Sequence, residues 1–270
     1  MEIVCLNIPI RSWKRTIFLI DKIIKDLPMQ NTYRWEKAYI ILIDFILPLP
    51  LTAIMWYAWY ARTQSLYFAS YVLLLGLCFG YIIPGIGTNV LRLWRFTGPF
   101  RIGNYFIHHG FMYAPYFALV LYVMFGQWQR LTAGQAVAII AGTGFVQSLL
   151  SSHHDLCGVK IGMIKINNRP ARQGKCATEV ICDWEPIGFL LFGSSYAASC
   201  LYAYKLFVID GKTNPGTLAL LIAAGVAFMG LTSTPYLIRE WETIMRRGRV
   251  TFSADDGEMR ANAASKGGRA

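Results

Sequence analysis

Six stretches of this chain are too long and too apolar for a water-soluble fold to hide. They run near residues 38–60, 67–90, 105–126, 131–151, 186–209 and 216–238, and a helix needs about 20 apolar residues to cross a bilayer. None alternates strictly between apolar and polar residues, so a β-barrel is not expected. In hydrocarbon the remaining solution is the α-helix, which satisfies its own backbone polar groups. The expected fold class is therefore all-α: a polytopic bundle of about six transmembrane helices. Only 15% of the residues are charged and 55% are apolar, whereas soluble domains are about a quarter charged. A secreted enzyme, a disulfide-stapled module and a disordered tail protein are all excluded. The expected organisation is one transmembrane domain over 1–250 and a disordered cytosolic tail over 251–270, where Asp255, Asp256 and Gly257 lead into small and basic residues.

The formal net charge of +11 suggests nucleic acid at first sight. The placement of the basic residues argues otherwise. In the six-span arrangement, twenty-two Lys and Arg fall on the side of the termini, and four (Arg62, Arg130, Lys205 and Lys212) fall on the other. That asymmetry is the positive-inside pattern and puts both termini in the cytosol. Nucleic acid is not an expected partner; membrane lipid is. Residues Arg11–Leu27 mix Trp13, Ile17, Leu19, Ile20, Ile23 and Ile24 with Lys and Arg, as in an amphipathic helix lying in the membrane interface. No cleavable signal peptide is expected. Trp56, Trp59 and Tyr60 read as an interfacial aromatic belt. The six cysteines show no CxxC spacing and are expected as free thiols, with Cys78 and Cys200 behaving as small hydrophobes.

Ionisable residues inside a membrane are costly and usually functional. The expected spans contain one acid, Asp44, about two turns into the first. The four histidines occur as two adjacent pairs, His108–His109 and His153–His154, the second followed by Asp155. Both pairs are expected at the cytosolic ends of their spans, with Asn89, Asn104, Glu179 and Asp183 at the same level. A titratable ring is thus expected at one membrane face. Asp44, His108, His109, His153, His154, Asp155 and Asp183 are its candidate catalytic groups. Asn89, Asn104, Tyr113 and Glu179 are candidate substrate contacts. Glu179 and Asp183 are four residues apart and would share a helical face, where close carboxylates hold a proton between them. Glu185, before Pro186, reads as a helix cap, and Asp183 is favoured over it.

Two chemistries fit such a ring. Imidazole and carboxylate suit a transition metal, as in a histidine-ligated lipid oxidoreductase. Two histidines on one helix chelate at i, i+3 or i, i+4, yet neither HxxH nor HxxxH occurs. Four histidines also cannot fill the boxes of membrane di-iron desaturases. The second chemistry, which needs neither metal nor cofactor, is acid–base catalysis on a lipophilic small molecule. A carboxylic acid protonates an epoxide or alkene, a base takes a proton back, and aromatic faces steady the intervening cation. A third class, a small transporter or accessory subunit, would be favoured by inverted repeats, and none is seen. Pro84–Asn89 reads either as an anion-contacting turn or as a helix C-terminus. Neither a DDxxD acid cluster nor GxSxG is present.

The segments Ile83–Asn89 (Ile-Pro-Gly-Ile-Gly-Thr-Asn), His108–Phe111 (His-His-Gly-Phe) and His153–Asp155 (His-His-Asp) carry a further indication. Within this small polytopic frame, they resemble the integral membrane terpene cyclases of fungal meroterpenoid pathways, of the ascofuranone-type group. The matching segments cover about a tenth of the chain. The resemblance implies protonation of a terminal epoxide on a prenylated substrate, then cyclisation through a cation and loss of a proton or capture of water. It also implies isomerase chemistry in secondary metabolism and, in a eukaryote, the endoplasmic reticulum. Of the matching positions it carries over His108 and His109. An Asn-x-x-Trp-Glu pattern found in better-known cyclases of this kind is absent here. Substrate identity and oligomeric state are not readable from the sequence.

Overall fold

The computed structural model describes residues 33–98, 100–126 and 131–241, together with Met245. The expected interfacial helix at 11–27 and the tail at 251–270 lie outside these residues. The chain opens with α1 (Arg34–Ile40), which runs into a π-helical turn over Ile41–Ile46 and then α2 (Pro48–Thr63). The α3 helix (Leu66–Gly85) also ends in a π-helical turn, Ile86–Val90. Three short strands follow: β1 (Trp94–Phe96), β2 (Arg101–Ile102) and β3 (Tyr105–Phe106). Next come α4 (His109–Phe125), the long α5 (Ala133–Lys160) and β4 (Ile164–Ile166). The short α6 (Arg169–Arg172) and α7 (Ala177–Cys182) lead to α8 (Glu185–Tyr204), which ends in a π-helical turn over Lys205–Ile209. The described chain closes with α9 (Pro215–Leu231) and α10 (Thr234–Arg239).

The protein is predominantly helical, and among the described residues three helices are long and apolar enough to cross a membrane: Leu66–Val90, Ala133–Lys160 and Glu185–Ile209. A fourth is added if α1 and α2, bent by 57° at their break, are counted as one. Two expected spans are shorter. The third begins at His109 rather than 105, because 101–106 form a strand pair, and α4 is 17 residues long. The sixth is divided at Thr232–Ser233 into α9 and α10, where Pro235 starts the new helix without an amide to give. The fourth expected span is longer. Helix α5 runs to Lys160, 28 residues or about 42 Å at 1.5 Å per residue. His153, His154 and Asp155 therefore lie within the helix and not at its end.

The main core joins α2, α3, α4, α8 and α9. Trp59 sits in it fully buried, edge-on to Phe68, Tyr122 and Phe125, and its indole N–H donates to the Ala118 carbonyl at 3.2 Å. It is a core residue and not part of an interfacial belt, because the face of α2 that carries it packs on α3 and α4. Tyr57, on the opposite face, stays exposed. The strands form small antiparallel pairs, β1 with β4 (Trp94 opposite Ile166) and β2 with β3. They close one end of the bundle over a second core that includes Ile40, Phe96, Phe106 and Met163.

Helices α5 and α8 approach closely through glycine. A Cβ on Gly144 would come within 2.6 Å of the Leu190 carbonyl oxygen, and one on Gly193 within 2.9 Å of the Gly144 Cα. Small residues at such crossings are how helices pack where lipid competes for apolar contact. Gly144→Ala and Gly193→Ala are each expected to destabilise by about 1–3 kcal/mol, the cost of overpacking. Gly134→Ala, at a position with nothing within 4 Å, is expected to be neutral or slightly stabilising. Thermal unfolding in detergent checks this, and equal behaviour of the three variants would contradict the packing account.

Candidate active site

The site begins with a missing hydrogen bond. Pro48 has no backbone N–H. The preceding turn widens, and the Leu47 amide donates to the Leu42 carbonyl at 2.9 Å. The Ile43 carbonyl would accept from residue 47 in an α-turn or residue 48 in a π-turn, and it is left with neither. The Tyr116 hydroxyl, from α4, donates to it at 2.6 Å. Widened turns of this kind recur at functional sites. Here the turn carries Asp44, whose side chain is 1% exposed.

Asp44 meets α5. Its Oδ1 lies 2.8 Å from His154 Nε2, and the other ring nitrogen, Nδ1, lies 2.9 Å from Asp155 Oδ1. The imidazole is thus held between two carboxylates. The Tyr39 ring, from α1, packs against both His153 and His154. Asp155 in turn lies against the Glu185 carboxyl at the start of α8.

Two adjoining chambers open on this cluster. The smaller, about 240 Å³, is lined by Tyr39, Asp44, His109, Met112, Tyr113, Tyr116, Gln147, Ser151, His154 and Asp155, among others. The larger, about 420 Å³, lies between α3, α8, α9 and α10. Its wall includes Phe79, Ile83, Trp94, Trp184, Glu185, Phe192, Leu231 and Tyr236. Phe96, Tyr113, Asp155 and Phe189 line both. The smaller chamber holds several buried polar atoms that no protein group answers: Asp44 Oδ2, Gln147 Oε1 and both ring nitrogens of His109. Unanswered buried polar groups cost free energy unless a ligand or water meets them. The larger chamber is walled mainly by apolar and aromatic side chains, with Asp155 and Glu185 as its acids.

Of the residues expected from sequence, Asp44, His109, Tyr113, His154 and Asp155 converge on these chambers. The others do not line them. His108 caps α4 with its ring stacked on Phe106. His153 is exposed on α5, with Nε2 3.7 Å from Cys157 Sγ. Asn89 and Asn104 brace the strand loop: Asn89 Oδ1 accepts from the Asn104 amide at 2.8 Å, and Asn104 Nδ2 donates to the Thr88 carbonyl at 3.1 Å. Gly103 packs on Asn89 Oδ1 with φ +64°, a site no side chain could share. Pro84–Asn89 is helical, and Gly87 leaves room for the Trp94 ring, which an added Cβ would overlap.

Glu179 and Asp183 do not form a carboxyl pair, because each has its own partners. Glu179 is exposed. The Cys176 thiol and amide and the Lys175 ammonium hold its carboxyl below the ordinary carboxylate range. Asp183 is paired with Arg239 of α10, whose guanidinium also donates to the Asp183 carbonyl oxygen at 2.9 Å. The close carboxyl pair is instead Asp155 with Glu185. Trp184 takes the cap position of α8 and stacks on Tyr236, so Glu185 is the first helical residue and turns inward. Sequence reasoning also missed Gln147 and Ser151. The signal was present: Thr143, Gln147, Ser151, His154 and Asp155 recur at helical spacing along one face of α5. Among the described residues no three His, Cys, Asp or Glu side chains converge as a metal-ligand set.

No protein-family model, no curated protein and no solved structure matches this chain. The chemistry of the site therefore rests on its geometry.

Removing one partner of a buried ion pair leaves the other uncompensated and costs about 3–5 kcal/mol. His154→Leu is expected to lose stability on that scale. Glu179→Gln, which breaks an exposed and solvent-screened pair with Lys175, is expected to leave stability close to that of the wild type. Thermal or denaturant unfolding of the two variants separates the cases, and a His154→Leu protein as stable as the wild type would contradict the pairing.

Proposed function

We propose that this protein is a membrane-embedded terpene cyclase that isomerises a prenylated, epoxidised lipophile by acid–base catalysis, without metal or cofactor. In this reading it spans the membrane several times with both termini cytosolic, in the endoplasmic reticulum of a eukaryote, and serves meroterpenoid secondary metabolism. The observation that carries the chemistry is the position of Asp155. It stands where a small polar chamber meets a large aromatic one, bonded to His154 on one side and set against Glu185 on the other. In this reading the two carboxyl groups, both on the wall of the larger chamber, act together as the proton-donating pair.

The chambers divide an amphiphile by polarity. His109, Gln147 Oε1 and Asp44 Oδ2 offer acceptors and a donor to a hydrogen-bonding head, and the larger chamber takes the apolar chain. The acid of the Asp155–Glu185 pair protonates the epoxide oxygen as its C–O bond breaks. A double bond of the folded chain supplies the electrons for the new C–C bond and becomes the next cation. Faces of Trp94, Phe96, Phe189 and Phe192 line the space where that charge passes. A carboxylate takes the final proton, and the product keeps the mass of the substrate. Holding a flexible chain folded for ring closure supplies much of the rate enhancement.

Incubating membranes that contain the protein with epoxyprenyl arenes, followed by mass spectrometry, tests the reading. Isomeric products are expected. A gain of oxygen or loss of hydrogen would instead mark redox chemistry, and no conversion would contradict the proposal. Asp155→Asn and Glu185→Gln are each expected to lower turnover by about 10²–10⁴-fold. Asp183→Asn, which lies outside the chambers, is expected to retain turnover within about tenfold, the scale of a structural perturbation near 1.4 kcal/mol. Loss in Asp183→Asn with full activity in Glu185→Gln would reverse the assignment.

A further inference from the structure

A carboxylate in one chamber and a carboxyl pair facing the other are useful together only if a proton can pass between them. The side chains supply a path. Asp44 Oδ1 is 2.8 Å from His154 Nε2, and His154 Nδ1 is 2.9 Å from Asp155 Oδ1. Asp155 lies against Glu185. Imidazole can gain a proton at one ring nitrogen while losing one at the other. Asp44 is 1% exposed and His154 15%, so bulk water has little access to the middle of the path. At one end Asp44 Oδ2 is buried without a partner in the smaller chamber. At the other end Glu185 lines the larger one. A purely structural ion pair would not require acids in series, nor ends that open into different cavities.

We propose that Asp44, His154, Asp155 and Glu185 form a proton relay connecting the two chambers. A proton lost by a ligand in the smaller chamber binds the Asp44 carboxylate. Asp44 gives it to His154 Nε2, His154 releases the Nδ1 proton to Asp155, and Asp155 passes a proton to Glu185. Glu185 then donates in the larger chamber. Each transfer breaks one bond to hydrogen and forms one. The passage leaves His154 with its proton on Nε2 in place of Nδ1, and a proton returned from the larger chamber to Glu185 and back along the path restores the starting tautomer, with no net uptake or release of protons and no further reactant. Running the transfers backwards balances equally. For its chemical use this relay rests on the acid–base reading above, but the coupling it requires is a property of the resting protein.

The test uses the full-length protein in lipid nanodiscs with ¹⁵N-labelled histidine, the His154 signals being assigned by their loss in His154→Gln. Glu185→Gln is expected to shift the Nε2 resonance, which faces Asp44 and not Glu185. Asp155→Asn is expected to remove that response, so that adding Glu185→Gln shifts nothing further. In the reciprocal measurement, Asp44→Asn is expected to move the Nδ1 resonance on the Asp155 side. Asp183→Asn, close in sequence but outside the path, should move neither. An Nε2 signal indifferent to Glu185→Gln, or one that responds equally without Asp155, overturns the relay. If Asp155→Asn does not fold, the Asp44→Asn measurement decides: an unmoved Nδ1 overturns the relay and a shifted one supports it. Coupling without isomeric product from the epoxyprenyl arenes overturns the cyclase reading alone, whereas product without coupling overturns the relay alone.

Discussion

A proline at 48 takes one N–H out of the first apolar segment, and in a hydrocarbon setting a carbonyl deprived of its donor needs another. Most of the site's geometry follows from how this chain answers. Leu47 turns back to Leu42, the Ile43 carbonyl is met by Tyr116, and the helix bends by 57°. The widened turn delivers Asp44 into the interior opposite α5. The same tyrosine that repairs the backbone lines the smaller chamber, so the repair and the ligand space share a wall.

Burying carboxylates in an apolar bundle costs several kcal/mol per charge unless each is paired and hydrogen-bonded. His154 answers two of them at once, and it does so because α5 continues past the expected end of its span. Had the helix stopped near 151, the pair at 153–154 would lie in a loop at the membrane face. The extended helix is in turn held against α8 by the glycine contact at 144 and 193. That contact brings the start of α8, and with it Glu185, against Asp155. Backbone proximity achieved with the smallest residue thus underlies a carboxyl pair about three turns further along α5 and about two turns back along α8.

The helical class and the apolar segments were legible because hydrophobic length reports directly on helices. Their ends were not. Pro48, Pro115 and Pro235 have different effects that sequence alone does not separate: a sharp bend, an interior helical position and a helix start. Asp44, His109, His154 and Asp155 were legible as ionisable groups in apolar surroundings, which few chains carry without use. Asn89, Asn104 and Glu179 were chosen for their level along the membrane normal, and that coordinate does not say which way a side chain turns. Each of them spends its hydrogen bonds locally, on a strand loop or a helix start. Trp59 shows the same limit. An aromatic near the end of a segment is interfacial or core according to the neighbouring helices, which the sequence does not order in space.

The contrast between Asp183 and Glu185 shows how fine the distinction is. Two acids separated by one tryptophan have opposite destinations, because the helix starts between them. Asp183 is on the outer side of the turn, where Arg239 of α10 reaches it. Glu185 begins α8 and faces the larger chamber. Trp184, stacked on Tyr236, pins the turn from the same helix that brings Arg239. The Asp183 carboxylate is thus engaged by the Arg239 guanidinium. Glu185 has the Asp155 carboxyl beside it on the wall of the larger chamber. The cation on α10 therefore does more than fasten the end of the bundle. By engaging Asp183 it leaves Glu185 to face Asp155 on the wall of the larger chamber.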